Sequence, residues 1–302
     1  MKTVVVGLGV QGKKRRKFIS PNSIVSVDPY VAEADYRFIE DISLNIYDTV
    51  LICVPDNLKL KIIKYCLENK KNVLVEKPLI LNSKKKIEKL KNLADKNKVI
   101  LYTAYNHRFE PHFKRLKKLL DSKKLGKIYS CRLFYGNGTA RLVRNSWRDK
   151  KSGVILDIGS HLLDTCLFWF GKKTGNFKLR TFHKFENKSP DHATIYSDNK
   201  KLYIELEMSY CMWQNHFTCD VIGEKGSAHI TSLCKWGPST FIYRKRILPS
   251  GKPPEFKKTL KCSDPTWLEE YKYFQKLIRF KKKTDLTNDL WLQKQLSNIA
   301  KR

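Results

Sequence analysis

The sequence predicts an α/β protein: an N-terminal doubly wound parallel sheet, followed by a C-terminal α+β domain with a largely antiparallel sheet. Up to about residue 105, short apolar strands alternate with helical segments, the order that builds a parallel sheet with helices on both faces. After residue 128, strand-like segments follow one another with few helices between them, which is typical of an antiparallel sheet. The 302 residues have room for both parts, and we place the domains at 1–108 and 109–302.

Composition favours a globular cytoplasmic protein. The chain has 41% hydrophobic and 12% aromatic residues, and no apolar run approaches the length of a membrane span. Its eight cysteines form no C-x-x-C pair, so we expect reduced thiols rather than a disulfide framework or a zinc site. The N-terminal MKTVVVGLGV enters a glycine motif and lacks a cleavage site, so we do not interpret it as a signal peptide.

The formal net charge is extreme, at +31, with 60 Lys and Arg residues against 29 acidic ones. Such a charge favours either a polyanionic partner or a solvated, lysine-rich surface. The basic residues are scattered along the whole chain, which favours the second interpretation. No aromatic-basic recognition motif is visible, so no nucleic acid is expected as a partner, and without an apolar run of spanning length no membrane is expected either.

The first predicted strand leads directly into GLGVQG, a G-x-G-x-x-G motif that opens a predicted helix. In this context the first glycine permits a tight turn, the second lets the backbone approach a pyrophosphate, and the third lets the helix pack closely on the strand. The pattern predicts a Rossmann dinucleotide-binding domain. Its cofactor-binding residues are Gly7, Gly9, Val10, Gln11 and Gly12.

A second strand, 24–27, ends at Asp28, about 20 residues beyond the glycine motif, where such domains carry an acidic residue for the ribose 2′-hydroxyl. The negative charge would repel a 2′-phosphate, so we predict NAD rather than NADP as the cofactor. Alternatively, Asp28 serves only as a turn residue before Pro29. The glycine motif favours the cofactor role.

Further elements follow in the order that this fold requires. Strands are predicted at 36–39, 49–54, 72–75, 99–105, 128–135, 178–185, 193–197, 202–210, 216–222, 228–231 and 241–247. Helices are predicted after Asp56 and Ser83 as N-caps, after Pro111 as a first-turn residue, and at 154–170, 265–280 and 288–300.

The strand at 72–75 runs into Glu76-Lys77-Pro78. Pro78 cannot donate to a sheet and restricts Lys77 to an extended or turn conformation. A charged pair is therefore held at the carboxyl end of a strand, where open α/β sheets place their ligands. Taken alone, this stretch favours an ordinary surface turn, and only its neighbours give it a functional interpretation.

The predicted helix at 154–170 carries Asp157, His161 and Asp164 at positions i, i+4 and i+7, which form one polar stripe on an apolar helix. A carboxylate and an imidazole one turn apart can form a hydrogen bond that fixes the tautomer of the ring. The alternative is an N-capping aspartate with a core histidine. No third potential ligand lies at a sequence spacing typical of a metal site, so no metal site is predicted.

Four motifs, GLGVQG, NVLVEKP, YNHRFEPHF and SGVILDIGSHLLD, together resemble the Gfo/Idh/MocA oxidoreductases, which are sugar and cyclitol dehydrogenases. FTCDVIGEKGSAHI is also similar to a late strand pair of that family. The resemblance implies that Lys77 lies beside the nicotinamide and the reacting hydroxyl, and that His161 is an acid/base group supported by Asp157. One departure is Lys59, where many members carry a histidine.

The remaining site assignments accompany this resemblance. We assign Val54, Pro55 and Glu76 to the cofactor, and Asn106 and Arg108 to the substrate. The expected partners are a small sugar-type substrate and further copies of the chain, as a dimer or tetramer formed through the C-terminal sheet.

The expected reaction transfers a hydride between a secondary alcohol of a sugar, sugar derivative or nucleotide sugar and the nicotinamide. His161 takes the hydroxyl proton as the hydride leaves, and Lys77 orients the oxygen and stabilises its developing charge. Lys77 could instead be the base, since a nearby cationic nicotinamide can lower the pKa of a lysine. The alternatives are a non-catalytic cofactor-sensing regulator and an NAD-dependent glycosidase on the same fold.

A basic loop precedes the Asp157/His161 helix directly and suggests an anionic substrate such as a nucleotide sugar. Trp147 could stack on a ring, and Arg148 could bind a phosphate or carboxylate. A solvated loop in a lysine-rich protein is the alternative. The basic and aromatic residues on this side are Arg108, Arg141, Arg144, Trp147, Arg148, Lys150 and Lys151.

Overall fold

The computed structural model describes residues 2–81 and 83–300, and the chain divides into two compact units. The first contains the described residues up to Asn106 together with Trp267–Gln293. The second contains His107–Thr266 together with the described residues from Lys294 onward. Among the described residues, no helix is long and apolar enough to cross a membrane.

The helices and strands of the described residues are numbered in chain order. The strands are β1 (Lys2–Val6), β2 (Ile24–Val27), β3 (Tyr47–Ile52), β4 (Asn72–Glu76), β5 (Leu101–Ala104), β6 (Ile128–Gly136), β7 (Phe177–His183), β8 (His192–Ser197), β9 (Tyr203–Ser209), β10 (His216–Gly223), β11 (Gly226–Thr231), β12 (Ser239–Lys245) and β13 (Glu255–Leu260). The helices are α1 (Val10–Arg16), α2 (Asp56–Glu68), α3 (Lys84–Lys96), α4 (Pro111–Asp121), α5 (Ala140–Val143), α6 (Ser160–Phe170), α7 (Thr266–Arg279) and α8 (Thr287–Ala300).

The first unit is built on a parallel five-stranded sheet with the order β2-β1-β3-β4-β5. The chain moves outward from β1 to β2, then crosses back to β3 and continues to the opposite edge. The strand order therefore reverses between β1 and β3, the point at which open α/β sheets bind their ligands. The predicted Rossmann-type sheet is confirmed.

Successive side chains of a strand point to opposite faces, so each face of this sheet carries its own core. On one face, Val50 of β3 and Val73 of β4 pack in a cluster with Ile63 of α2 and Ile87 of α3. All four side chains are fully buried. Burial of this apolar surface explains why α2 and α3 dock on the same face.

On the other face, Leu51 and Leu74 pack in a cluster with Tyr271 and Phe274 of α7. Helix α1 has only seven residues and cannot cover this face alone. The segment 267–293 supplies the missing cover, and it therefore belongs to the first unit. The sequence-based boundary at residue 108 places this segment in the C-terminal domain instead.

The second unit is built on an eight-stranded sheet with the order β13-β12-β11-β10-β6-β9-β8-β7. Only β6 and β9 pair in parallel, and the other neighbours are antiparallel. The predicted, largely antiparallel sheet is thus confirmed. The edge strand β13 was missed, because its residues are almost all exposed and carry no apolar alternation.

Helices α4 and α6 cover one face of the second sheet. The ring of Phe113 on α4 lies 4.9 Å from Trp169 on α6 and 5.2 Å from Phe217 on β10, measured between ring centroids. Trp169 Nε1 also donates a hydrogen bond to the carbonyl of Phe113, at 3.1 Å. This aromatic cluster fixes α6, which carries His161, against the sheet.

Three local predictions were wrong. Residues 36–39 form no strand: Tyr36 makes a single bridge to Val27, and the preceding Asp35 carboxylate accepts hydrogen bonds from Ser26. Asp56 is the first residue of α2 rather than its N-cap. Residues 154–170 do not form one regular helix, since 155–159 form a π-helical turn before α6.

The turn after β4 is held by an almost fully buried lysine on α2. Lys59 Nζ donates to the carbonyl oxygens of Glu76, at 2.6 Å, and Pro78, at 3.0 Å, and lies 2.7 Å from Asp56 Oδ1. Burial lowers the pKa of Lys59, and Asp56 opposes that shift. The two carbonyl groups belong to the residues on either side of Lys77. Lys59 therefore fixes the backbone around Lys77.

Replacing Lys59 with methionine should lower the free energy of unfolding by about 1–3 kcal/mol, since two buried carbonyl groups lose their donor. Urea denaturation would measure the change. The matched control is Lys61→Met on the same helix, where the side chain is exposed. It should stay within about 0.5 kcal/mol of the wild type. Equal stability of the two variants would contradict the proposed anchoring.

Replacing Phe274 with alanine should lower the free energy of unfolding by about 3–5 kcal/mol, because it removes a fully buried ring from the core under α7. Phe280→Ala, whose ring is 64% exposed just beyond the helix, should have little effect. Urea denaturation of both variants separates the two cases. A harmless Phe274→Ala would show that α7 does not cover the first sheet.

Candidate active site

The turn after β1 has the geometry of a dinucleotide-binding glycine turn. Gly7 has a positive φ of 92°, and its N–H donates to the carbonyl of Val27 at 2.8 Å. A Cβ atom on Gly12 would lie 1.8 Å from the Gly7 oxygen, so only glycine lets α1 pack this closely. A Cβ atom on Gly9 would meet no atom within 4 Å, which leaves its backbone open to a ligand. Val10 follows at the exposed start of α1.

Gln11 is exposed on the first turn of α1, next to this open backbone. Asp28 follows β2, and its carboxylate accepts hydrogen bonds from the N–H groups of Leu8, at 2.8 Å, and Tyr30, at 2.9 Å. Leu8 belongs to the glycine turn, so the carboxylate is fixed beside that turn. The negative charge therefore lies at the end of β2, where the sequence placed it.

Glu76 ends β4 and is held by the buried Arg15 of α1. Arg15 Nη2 lies 2.8 Å from Glu76 Oε1 and 2.7 Å from Glu270 Oε2 on α7, and its guanidinium lies 4.5 Å from the Trp267 ring centroid. Burial alone would lower the pKa of Arg15, but the two carboxylates raise it above its usual range. Glu76, predicted to contact the cofactor, thus ties β4 to α1 and α7.

Val54 and Pro55 follow β3, and Lys77 follows β4. Val54 packs on the first core and lies beside Gly7, and Pro55 takes the N-cap position of α2. Lys77 is half-buried. In the first unit, the structure thus brings the predicted cofactor residues and Lys77 to the carboxyl edge of one parallel sheet. Such an edge can hold a dinucleotide.

In the second unit, Asp157 lies in the π-helical turn and His161 in the first turn of α6. Asp157 Oδ2 accepts a hydrogen bond from Arg148 Nε at 2.7 Å and from the Tyr210 hydroxyl at 3.2 Å. Arg148 Nη2 also lies 2.6 Å from the same oxygen. Burial beside Asp157 raises the pKa of Tyr210, which keeps the phenol protonated as a donor.

The third residue of the polar stripe, Asp164, is buried and forms an ion pair with Arg108. Arg108 Nε donates to Asp164 Oδ2 at 2.8 Å, and Nη2 contacts Oδ1. Burial raises the pKa of Asp164, while the guanidinium opposes the shift. Arg108, predicted to bind the substrate, is thus anchored to α6. Asn106 is buried at the start of the 3₁₀ turn Asn106–Phe109, which also contains Arg108.

The basic loop before α6 is less available to an anion than its sequence suggested. Arg148 binds Asp157, and both Arg141 and Arg144 bind Glu186, at 3.0 and 3.6 Å. Trp147 is half-exposed. The loop cations named here are therefore paired with carboxylates of their own unit.

Sequence analysis missed a group of side chains around His107. The His107 ring stacks on His161, with centroids 4.1 Å apart and planes at 19°. Its Nε2 atom lies 3.2 Å from Lys235 Nζ, and Tyr135 stacks nearby, at 5.6 Å between ring centroids. His107 lies in the YNHRFEPHF motif, but no local pattern points to Lys235, which is 128 residues away.

Comparisons with known proteins agree with this geometry. Residues 5–105 match a family model described as "Oxidoreductase family, NAD-binding Rossmann fold", and residues 113–229 match one described as "GFO/IDH/MocA C-terminal domain". The chain is 31% identical over 127 residues, or 41% of its length, to scyllo-inositol 2-dehydrogenase (NADP(+)) IolW of Bacillus subtilis. It is 27% identical over 187 residues, or 54% of its length, to glucose-6-phosphate 3-dehydrogenase of the same organism.

These alignments cover 35% and 53% of the two relatives, so the chain spans about half of their length or less. Among solved structures, a levoglucosan dehydrogenase in complex with NADH superimposes with a TM-score of 0.76 at 17% identity. That match covers 100% of this chain and 96% of the other, and it shows a shared fold. With both of its domain types matched, the chain belongs to the Gfo/Idh/MocA family of oxidoreductases.

Proposed function

We propose that this oxidoreductase uses NAD and transfers a hydride between a secondary alcohol of a sugar, sugar derivative or nucleotide sugar and the nicotinamide. The observation that carries the proposal is the carboxyl edge of the first sheet, where the glycine turn, Asp28 and Lys77 lie at the ends of parallel strands. The names of the relatives, an inositol dehydrogenase and a sugar-phosphate dehydrogenase, support the substrate class.

The first unit would hold the cofactor, which supplies the hydride chemistry when bound. The open backbone at Gly9 leaves room for the pyrophosphate, and the glycine at position 12 lets α1 begin beside it. Asp28 would bind the ribose 2′-hydroxyl and repel a 2′-phosphate. Lys77 would orient the substrate oxygen and stabilise its developing negative charge.

His161 would take the proton of the reacting hydroxyl. Its supporting carboxylate, Asp157, is fixed by Arg148 and Tyr210, so it can present one constant charge to the imidazole. Asp157, Arg148 and Tyr210 are then positioning residues for His161, and Arg148 acts through Asp157 rather than on the substrate.

The Asp28 assignment predicts a preference for NAD(H) over NADP(H). Asp28→Asn keeps an acceptor for the Leu8 N–H but removes the charge, so the preference should fall by about tenfold or more. Titration of both cofactors into wild type and variant measures this. Glu40→Ala, which removes an exposed charge from the same unit, is the control. Tighter binding of NADP(H) by the wild type would refute the assignment.

The catalytic assignment predicts that Lys77→Met and His161→Asn lower kcat by about 10²–10⁴-fold, the usual contribution of acid-base help. Cofactor affinity should change much less. Asp157→Asn should be milder and should shift the pH profile of kcat, because it changes the group that orients His161.

The measurement is NADH formation with a panel of sugars, cyclitols and nucleotide sugars. Lys61→Met and His216→Asn replace residues of the same types away from these assignments and should keep wild-type turnover. Wild-type turnover in Lys77→Met or His161→Asn would refute the roles proposed here. Cofactor binding without NADH formation on any panel member would instead favour a regulator or a glycosidase.

A further inference from the structure

Lys235 lies in the 3₁₀ turn Cys234–Trp236 between β11 and β12. This turn is pinned by Glu110, whose carboxylate accepts hydrogen bonds from the Cys234 N–H, at 2.8 Å, and from Cys234 Sγ, at 3.0 Å. Glu110 is only 2% exposed, so the anchor is shielded from water. The backbone that carries Lys235 is therefore fixed.

The direct contacts of the Lys235 ammonium group are with an imidazole, a phenol and an indole ring. Its Nζ lies 3.2 Å from His107 Nε2 and 3.4 Å from the Tyr135 hydroxyl, and it lies over the Trp236 ring at 4.7 Å. An ammonium has three donors and no lone pair, so in this contact Lys235 donates and His107 Nε2 accepts. Among the described residues of the second unit, the contacts of Lys235 Nζ are with these rings and not with a carboxylate.

This environment differs from that of the neighbouring cations. Arg108 and Arg148 are also partly buried, but each binds a carboxylate, on Asp164 and Asp157 respectively. A half-buried charge is normally paired, because leaving water costs it hydration energy. In the described part of the chain, Lys235 Nζ thus has no carboxylate as a direct partner: Glu110, the acidic side chain beside this turn, binds Cys234 instead.

The ring of His107 lies between the Lys235 ammonium group and His161. His107, which accepts from Lys235, stacks on His161 with centroids 4.1 Å apart. Tyr135 lies beside both, with its ring centroid 6.4 Å from that of His161 and 5.6 Å from Lys235 Nζ. A sugar-sized ligand whose hydroxyl reaches His161 would therefore come close to Lys235.

We propose that Lys235 binds an anionic group of the substrate, a phosphate or a carboxylate, while Tyr135 and Trp236 supply the apolar surface beside it. This inference rests on the proposed function and names the substrate class of the same site. In this proposal Lys235, and not the loop, selects for a charged substrate. The loop cations Arg141, Arg144 and Arg148 are already paired with carboxylates.

The test compares glucose 6-phosphate, glucuronate and glucose as probes, by calorimetric titration of the NAD-saturated protein. Wild type should bind at least one anionic probe more tightly than glucose. Lys235→Met should weaken that binding by about 10- to 100-fold, the loss expected for one charge-assisted hydrogen bond. The change for glucose should be much smaller. Whichever of the phosphate or the carboxylate probe loses affinity identifies the group that is bound.

Two further variants separate local from general charge effects. Lys235→Arg keeps the charge and should restore much of the affinity. Lys200→Met removes one exposed lysine from the same unit and should leave all three affinities unchanged. A similar loss in Lys200→Met would assign the effect to the overall charge of +31 and overturn the inference.

Two other outcomes would also overturn it. One is an equal loss for glucose and the anionic probes, which would mean that Lys235 only supports His107. The other is a wild type that binds neither anionic probe. By contrast, Lys235-dependent binding without NADH formation would refute the proposed hydride transfer and leave the Lys235 site in place.

Discussion

A buried guanidinium joins three distant stretches of the first unit. Arg15 on α1 lies between Glu76, at the end of β4, and Glu270 on α7. Removing one member of such a buried group leaves an uncompensated charge, at a cost of about 3–5 kcal/mol. Because Glu76 directly precedes Lys77, the position of that lysine depends on this ion pair and on the contacts of Lys59 behind it.

The second unit uses the same kind of buried ion pair at α6 and at the π-helical turn before it. Its polar stripe presents two carboxylates, and each is bound by an arginine from a neighbouring segment. The arginines are thereby occupied, so a positive charge near a catalytic motif in sequence is not automatically available to a substrate. The structure distinguishes Lys235 from the arginines by its partners, which are an imidazole and aromatic groups instead of carboxylates.

Patterns among neighbouring residues in the sequence predicted the turns and strands that depend on those residues alone. The glycine turn and most strands follow from neighbouring residues, and the edge strand β13 was missed because its side chains lack apolar alternation. The docking of α7 was not predictable, because its apolar stripe could cover either sheet. The contact of Lys235 with His107 joins residues 128 positions apart, and no spacing rule reports it. The roles of Lys77 and His161 stay predictions.

The docking of α7 also has a consequence for biosynthesis. A ribosome delivers residues in order, and the strands of the first sheet emerge long before the segment 267–293 that covers one of its faces. Until then, Leu51 and Leu74 lack their partners on α7, and Arg15 lacks Glu270. The nascent first unit therefore exposes an apolar face until residues 267–293 emerge, a state prone to aggregation. It can reach its final packing only after residues 267–293 have been synthesised.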